Sequence, residues 1–505
     1  MENLEKELSH IYETILAGEP AATAIANTVQ PNYQLSAKNL YRYLILRTFD
    51  LRKVHDRLSE FGISAIRTSE SYVLKNIANA LKIIQLLQGK EPHIANNLHS
   101  LGYKKSKKTL AKHANQLFNT NHKRHTTEIM VTMPTEISED ELLAEQLIIA
   151  GMEIARINLS HDNQEVWTKM VETLKRASAK LKLPIKIYMD LSGPKLRTAP
   201  IKINKKGKIQ DYIRLNKGEH LILTSRMTDG KAVKYHKDGK QLLSNAEVGL
   251  LIPQIIEDLK IGDPVFFDDG MIEGKVIGKT KEEVELLITK THKKKLKGRK
   301  GINLPETQLN LPSLTEDDIR NLPFVVEHAD IVGYSFVRTP EDVQQLYKEL
   351  DRLNNTDIGV VLKIENKEAF ENLSLLLFEA MKRPKIGVMI ARGDLAVELG
   401  PERIAEVQQQ ILWFCEAAHI PVIWATQVLE NLAKKGIPTR AELSDASLSA
   451  QAECVMLNKG PHIVEAVLLL KNILIRIEKH YTKKKPSMRA LNVAKLKLEK
   501  LGSVK

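Results

Sequence analysis

Apolar positions in the first part of the chain recur with a helical period. Ser36 is read as an N-cap, and Leu40, Leu44, Leu51, Val54, Leu58 and Phe61 follow at near-helical spacing until Gly62 stops the run. A second helix is expected over roughly 69–88, with Val73, Ile77, Ala80 and Ile84 on one side. The polar, basic stretch from Lys104 to Arg124 reads as the exit linker of a small helical domain over residues 1–122. No motif in that domain carries recognisable chemistry.

The pattern then changes to short β-branched strands alternating with amphipathic helices, which is how a parallel sheet covered by helices is written. Eight such strands are expected: Glu128–Met133, Ala155–Ser160, Lys186–Leu191, Asp330–Phe336, Gly359–Glu365, Gly387–Ala391, Pro421–Thr426 and Cys454–Asn458. Eight βα units predict an α/β fold, a closed (β/α)8 TIM barrel over 123–194 and 300–480. Ser138 with Glu141 reads as a capping box, Gly151 as the stop of that helix, and Pro461 to Lys479 as the last helix. Between these barrel segments the helical period disappears. Short alternating segments and the turn dipeptides Asp229-Gly230, Asp238-Gly239 and Asp269-Gly270 point to a β-rich lid domain over 195–299, set above the C-terminal mouth of the barrel.

Composition narrows the class. Hydrophobic residues make up 43% and charged residues 27% of the 505, the balance of an ordinary globular protein. No apolar run reaches the roughly 18 residues of a membrane span, and the first twenty residues resemble neither a secretory signal nor a transit peptide, so a cytoplasmic location with no membrane partner is expected. The only cysteines, Cys415 and Cys454, sit in apolar stretches and read as buried thiols. The excess of 75 Lys plus Arg over 62 Asp plus Glu gives a net charge of +13 and favours anionic partners. Part of it lies in residues 292–300 and in a basic tail, 481–505; without interleaved aromatics, both read as solvated surface rather than nucleic-acid sites.

In a TIM barrel the functional groups gather where strands end. The second expected strand ends in Arg156, Asn158, Ser160 and His161, the third in Asp190 and the fifth in Lys363 and Glu365. The sixth leads into Arg392-Gly393-Asp394, and the seventh ends at Thr426. Glu365 and Asp394 suit a hard divalent ion, magnesium or manganese. Arg156 and Lys363 suit a phosphate, and Gly393 lets a carboxylate approach backbone N–H groups at a helix start. Taken singly, each has a plain alternative: strand-end ion pairs are common at surfaces, and Thr426 could cap a helix. Together they describe a metal-dependent site for a phosphorylated small acid.

Longer motifs go further. MEIARINLSH, MDLSGPKLRT, PVFFDDGMIEGKV and KGINLPETQLNLPSLTEDD are followed by ADIVGYSFVRTPEDV, VVLKIENKEAF, VMIARGDLAVELG and PVIWATQVLENLAKKGIPTRAELSD. In this order they resemble pyruvate kinase, from residue 126 to about 480. The resemblance implies phosphoryl transfer between phosphoenolpyruvate and ADP, giving pyruvate and ATP. It assigns Lys363 to the phosphoryl group in flight, Glu365 and Asp394 to magnesium, and Gly393, Asp394 and Thr426 to the substrate carboxylate. Arg156 would hold the transferring phosphate, Thr426 would sit near the enol carbon, and Asn158, His161 and Arg197 would lie towards the nucleotide. Asn158, Ser160, Asp190 and the carbonyl of Leu191 match the family's monovalent-cation position.

Departures from the family pattern carry expectations of their own. Lys195 stands where the family usually has Glu, so its ammonium is expected to replace potassium and make activity potassium-independent. The opening strand reads VTMPTEIS, and Asn458-Lys459-Gly460-Pro461 replaces the usual phosphate-rich turn. The family's C-terminal effector domain is expected to be absent, and with it regulation by fructose bisphosphate at the usual site. The N-terminal helices are expected to pack in its place or to mediate assembly into a homo-oligomer. Two other functions fit the same residues: a phosphoenolpyruvate-binding sensor or interaction protein without turnover, and an enzyme that passes the phosphate to a different acceptor.

Overall fold

The computed structural model describes residues 1–63, 65–94, 100–118, 127–205, 208–235, 242–482 and 485–486. At its centre eight parallel strands close into a barrel: Glu128–Thr132, Ile154–Asn158, Lys186–Asp190, Ile331–Tyr334, Gly359–Ile364, Ile386–Ala391, Val422–Ala425 and Cys454–Leu457. The first strand pairs with the eighth, from Glu128 opposite Cys454 to Val131 opposite Leu457, so the sheet has no edge. Strands buried on both faces read as near-continuous apolar runs: the sixth is apolar along its whole length, and the fifth is buried throughout with Lys363 as its one charge. The expected strands are all present, each end within one or two residues.

Helix ends correct two readings. The helix Glu141–Ala150 is capped by Asp140, whose carboxylate accepts the Leu143 N–H at 2.9 Å. Ser138 lies in the preceding 3-10 turn and donates to the Thr135 carbonyl, so there is no Ser138–Glu141 capping box. Gly151 ends that helix at φ +124°, as expected.

Upstream lie helices α1 (Glu2–Ala17), α2 (Glu19–Ala26), α3 (Gln34–Leu46), α4 (Arg52–Glu60), α5 (Val73–Leu87) and α6 (Tyr103–Phe118). The single helix expected before Gly62 is therefore two. Thr48 bonds back to the Ile45 carbonyl, and the Asp50 side chain accepts the Arg52 N–H, so local side-chain bonds end one helix and start the next. Ser36 is buried inside α3 and caps nothing.

The basic stretch expected as a linker is largely helix. Ser106, His113 and Leu117 in α6 form a narrow buried stripe beneath its lysines. Leu117 and Phe118 join the inward-facing Met130, Ile154, Tyr188, Ile331, Val361 and Met389, plugging the N-terminal end of the barrel. Gly359 and Gly387 open the fifth and sixth strands there. A Cβ on either would lie 2.6 Å from a Leu117 methyl, so a side chain at either position would force Leu117 to shift. Polar contacts hold the helices on: His113 to the His419 carbonyl (2.7 Å), His419 to the Ser71 carbonyl (2.9 Å), and Asn39 to the Ala417 carbonyl (2.8 Å).

The inserted segment carries a six-stranded mixed sheet with its own core, including Leu221, Leu223, Val265, Phe267 and Leu286. Asp268, Asp269 and Gly270 turn its central hairpin with φ of +53°, +57° and +81°, angles that Asp and Gly tolerate. The Asp238-Gly239 turn and nearly all of the basic tail lie outside the described residues. Cys415 and Cys454 are both buried, as expected. Among the described residues no helix is long and apolar enough to cross a membrane.

Leu117→Ala should lower the unfolding free energy by about 2–5 kcal/mol, because it opens a cavity where two strand glycines leave no other filling. Urea denaturation followed by barrel and N-terminal probes checks this; a shift confined to the N-terminal probe would show that Leu117 is not part of the barrel core.

Candidate active site

Strand register brings the charged residues together. Asn158 on the second strand lies opposite Asp190 on the third, Asp190 opposite Gly333 on the fourth, and Lys363 opposite Met389 across the fifth and sixth. The resulting cavity at the C-terminal mouth holds about 220 Å³. It is lined by Arg156, Asn158, Ser160, His161, Lys195, Arg197, Lys363, Glu365, Asp394 and Thr426, ten of the candidates. Asp190 and Leu191 are buried below it.

Asp190 is the hub. Arg156 donates to it through Nε at 2.6 Å and through a second guanidinium nitrogen, and the Tyr188 hydroxyl donates at 2.9 Å. Lys363 Nζ lies 3.6 Å from the same carboxylate and 3.5 Å from Glu365. Burial would push the Asp190 carboxyl up, but Arg156 and Lys363 hold it below its ordinary value. Tyr188 and Asp190, two residues apart on one strand, both point inward, and any Cβ on Gly333 would collide with them.

Lys363 donates to Ser335 Oγ at 2.6 Å, and Ser335 in turn donates to the Leu191 carbonyl at 2.7 Å. Glu365 accepts the Phe336 N–H at 2.8 Å. Its carboxyl is pushed up by burial and by the negative charge of Asp394, against the pull of Lys363.

The structure corrects the expectation for Lys195. Its ammonium sits on Asp394, at 3.0 and 3.1 Å from the two carboxylate oxygens, and not among Asn158, Ser160, Asp190 and Leu191. Asp190 is already covered by Arg156 and Lys363, and the Leu191 carbonyl by Ser335. Asp394 is the carboxylate left for it.

Gly393 and Asp394 open the helix Arg392–Leu399, so their N–H groups belong to a helix start. Facing them is Thr426, at φ +66°, whose buried hydroxyl has no hydrogen-bond partner. An ideal Cβ on Gly393 would come within 3.8 Å of the Thr426 methyl. Arg392 fixes this turn: it donates to the Ala425 carbonyl (2.9 Å) and the Thr426 carbonyl (2.5 Å) and pairs with Asp445. Arg392 and Asp445 thus position the threonine, a role that sequence reasoning did not reach.

Glu398 was also missed. One turn after Asp394, it accepts the Asn303 side-chain amide at 3.0 Å where the lid chain returns to the barrel. Its apolar neighbours gave no signal. Burial, together with the Asp394 charge, pushes its carboxyl up to about 7.

The fold and this mouth define a TIM-barrel protein with a β lid inserted after the third strand and a charged cavity beneath it. Residues 124–462 match the family model of the pyruvate kinase barrel domain, and the chain belongs to the pyruvate kinase family. It is 33% identical over 350 residues to the pyruvate kinase of Staphylococcus haemolyticus, covering 68% of this chain and 55% of that protein. To the pyruvate kinase of Bacillus licheniformis it is 32% identical over 367 residues, 71% of this chain and 58% of the relative. The chain thus spans little more than half the length of these relatives.

Between the ordinary carboxyl value of 4.5 and about 7, folded Glu398 keeps a proton that the unfolded chain releases. The stability this lends is complete below the lower value and lost as pH rises through the upper. The unfolding free energy of Glu398→Gln minus that of the wild type should therefore increase by about 2 kcal/mol from pH ~4.5 to pH ~8, allowing for solvent screening of a half-buried group. A pH series of urea titrations measures it, and a flat difference would show that Glu398 does not titrate there.

Proposed function

We propose that this protein transfers a phosphoryl group between phosphoenolpyruvate and ADP with the help of a divalent ion. The observation that carries the reading is the placing of Lys363, nearly buried and held between Asp190, Glu365 and Ser335, in one cavity with Asp394 and the partnerless hydroxyl of Thr426.

Glu365 and Asp394 fit a magnesium or manganese ion: two hard oxygen donors, electrostatically coupled, with the lysine ammoniums of Lys363 and Lys195 as their nearest cations. Such an ion neutralises charge on phosphoryl oxygens when bound.

The protein's own groups do the rest. The N–H groups of Gly393 and Asp394 and the Thr426 hydroxyl receive the substrate carboxylate. Lys363 offsets negative charge that builds on the phosphoryl group as it moves between oxygens. Arg156, anchored on Asp190 and Thr132, keeps free N–H groups for the same phosphate. Thr426 would also sit near the enol carbon that must be protonated. With Asp190 neutralised by Arg156 and Lys363, activity needs no potassium.

A second reading rests on the Lys195–Asp394 pair, which competes with a metal for one of its two carboxylates. In that reading the protein binds phosphoenolpyruvate without turning it over.

A coupled assay with phosphoenolpyruvate, ADP and magnesium decides between them. Turnover is expected in the wild type, with a loss of about 1,000-fold or more in Lys363→Met, which removes the charge at the transition state. Binding of phosphoenolpyruvate without turnover would support the second reading, and turnover only with another acceptor would move the assignment to a different transferase. Adding KCl should change the rate by less than about twofold, since no monovalent charge is wanting at Asp190; a large rise would refute potassium independence.

A further inference from the structure

Helix α6 is charged against the ordinary electrostatics of a helix. Its 16 residues include Lys104, Lys105, Lys107, Lys108 and Lys112, and no acidic residue. Lys104 and Lys105 stand in the first turn, where the helix dipole disfavours cations. Lys104, Lys108 and Lys112 follow at i, i+4 and i+8, a spacing at which like charges repel. None of the five lies within 4 Å of a carboxylate among the described residues. Lys107 instead sits over the Tyr103 ring, 4.5 Å from its centre, and Glu70, the acid on the turn packed against α6, neighbours Tyr43 of α3.

Tertiary packing overrides this repulsion. Ser106, His113, Leu117 and Phe118 are buried, and the last two plug the barrel, so the helix forms whatever its outer face carries. Lys104, Lys108 and Lys112 are exposed on the side turned from that stripe, about 6 Å apart along the axis. A shallow depression of about 440 Å³ runs beside Lys108 and Lys112, and Ala111, Asn115 and Gln116 complete its lining. Cations in line at this spacing suit successive phosphates of a chain rather than a single phosphate, and exposed Asn and Gln amides can bond the same backbone. The apolar stripe is spent on the barrel, which leaves no apolar face to lay into a bilayer. The Tyr103 ring is covered by Lys107 and met edge-on by Tyr72, so it is not open for stacking on single-stranded bases.

We propose that the lysine row of α6 binds the phosphate backbone of a nucleic-acid duplex, at the end of the barrel opposite the charged cavity. None of these lysines lines that cavity, so the inference does not rest on the phosphotransfer reading.

The test titrates a fluorescein-labelled DNA duplex of about 20 base pairs and mixed sequence with the full chain, read by fluorescence anisotropy from ~50 to ~200 mM NaCl. Three phosphate contacts predict a slope of about −3 for log K against log [NaCl], and a Kd of about 1–100 µM near physiological salt. Lys104→Gln/Lys108→Gln/Lys112→Gln should weaken binding at least about tenfold at ~50 mM NaCl. Lys108→Gln alone should lower the slope by about 1, which carries the test if the triple variant folds poorly. Lys53→Gln/Lys75→Gln/Lys82→Gln, which removes the same charge from exposed positions on α4 and α5, should bind as wild type. The inference falls if the wild type does not bind the duplex at ~50 mM NaCl, or if both triple variants lose the same affinity, since net charge alone would then be the cause. Binding to vesicles of anionic phospholipid without binding to the duplex would also overturn it and make this face a membrane contact.

Discussion

Charge alternation at the barrel mouth is the constraint on which the site depends. Arg156, Asp190, Lys363 and Glu365 form a chain of opposite charges with little access to water, and Lys195 with Asp394 adds a second pair alongside. At such separations, a unit pair near a protein surface interacts by about 4 kcal/mol. Removing one member of a buried pair leaves an uncompensated charge that costs about 3–5 kcal/mol, so the members act as a unit. The same network that holds Lys363 in place leaves Glu365 and Asp394 close to each other and dependent on lysines for balance. A divalent ion bound there, as proposed above, would have to displace or share those lysines.

Such a network needs a wall that does not move, and the barrel supplies it through closure at both ends. At the bottom, Leu117 fills the space left by Gly359 and Gly387, and the layers of inward side chains above it rise to Tyr188 and then Asp190. At the top, the lid is tied to the helix that bears Asp394 through Asn303 and Glu398. The N-terminal helices are therefore packed into the barrel core even though they lie at the end opposite the cavity.

Much of this could be read from the residues alone. Strand order and closure followed from eight β-branched runs, and the carboxylates and cations at strand ends met in one cavity because strand ends point there. What escaped was set by contacts between distant segments. Helix α6 was hidden because lysines cover all but a narrow stripe, and the apolar end of that stripe has meaning only beside two strand glycines over 200 residues away. Lys195 was assigned by position, but its long side chain goes to whichever carboxylate lacks a partner, and that depends on how Arg156 and Ser335 are used. Ser138 and Ser36 met the local rules for caps, yet Asp140 stood nearer one helix start, and packing drew Ser36 into the core.

The turn at Thr426 is strained before any ligand arrives. Thr426, Gln427 and Leu429 all have positive φ, a conformation that costs roughly 1–3 kcal/mol per non-glycine residue, and the Thr426 hydroxyl is buried without a partner. Arg392 makes this tolerable, since its guanidinium holds two successive carbonyls while Asp445 holds the guanidinium. An oxygen arriving opposite Gly393 would satisfy the hydroxyl without moving the backbone. The strain would already be present before binding, so the gain from that hydrogen bond would go entirely to the ligand. That is the physical meaning of preorganisation, and Arg392, which does not line the cavity, supplies it by holding the backbone of the threonine that does.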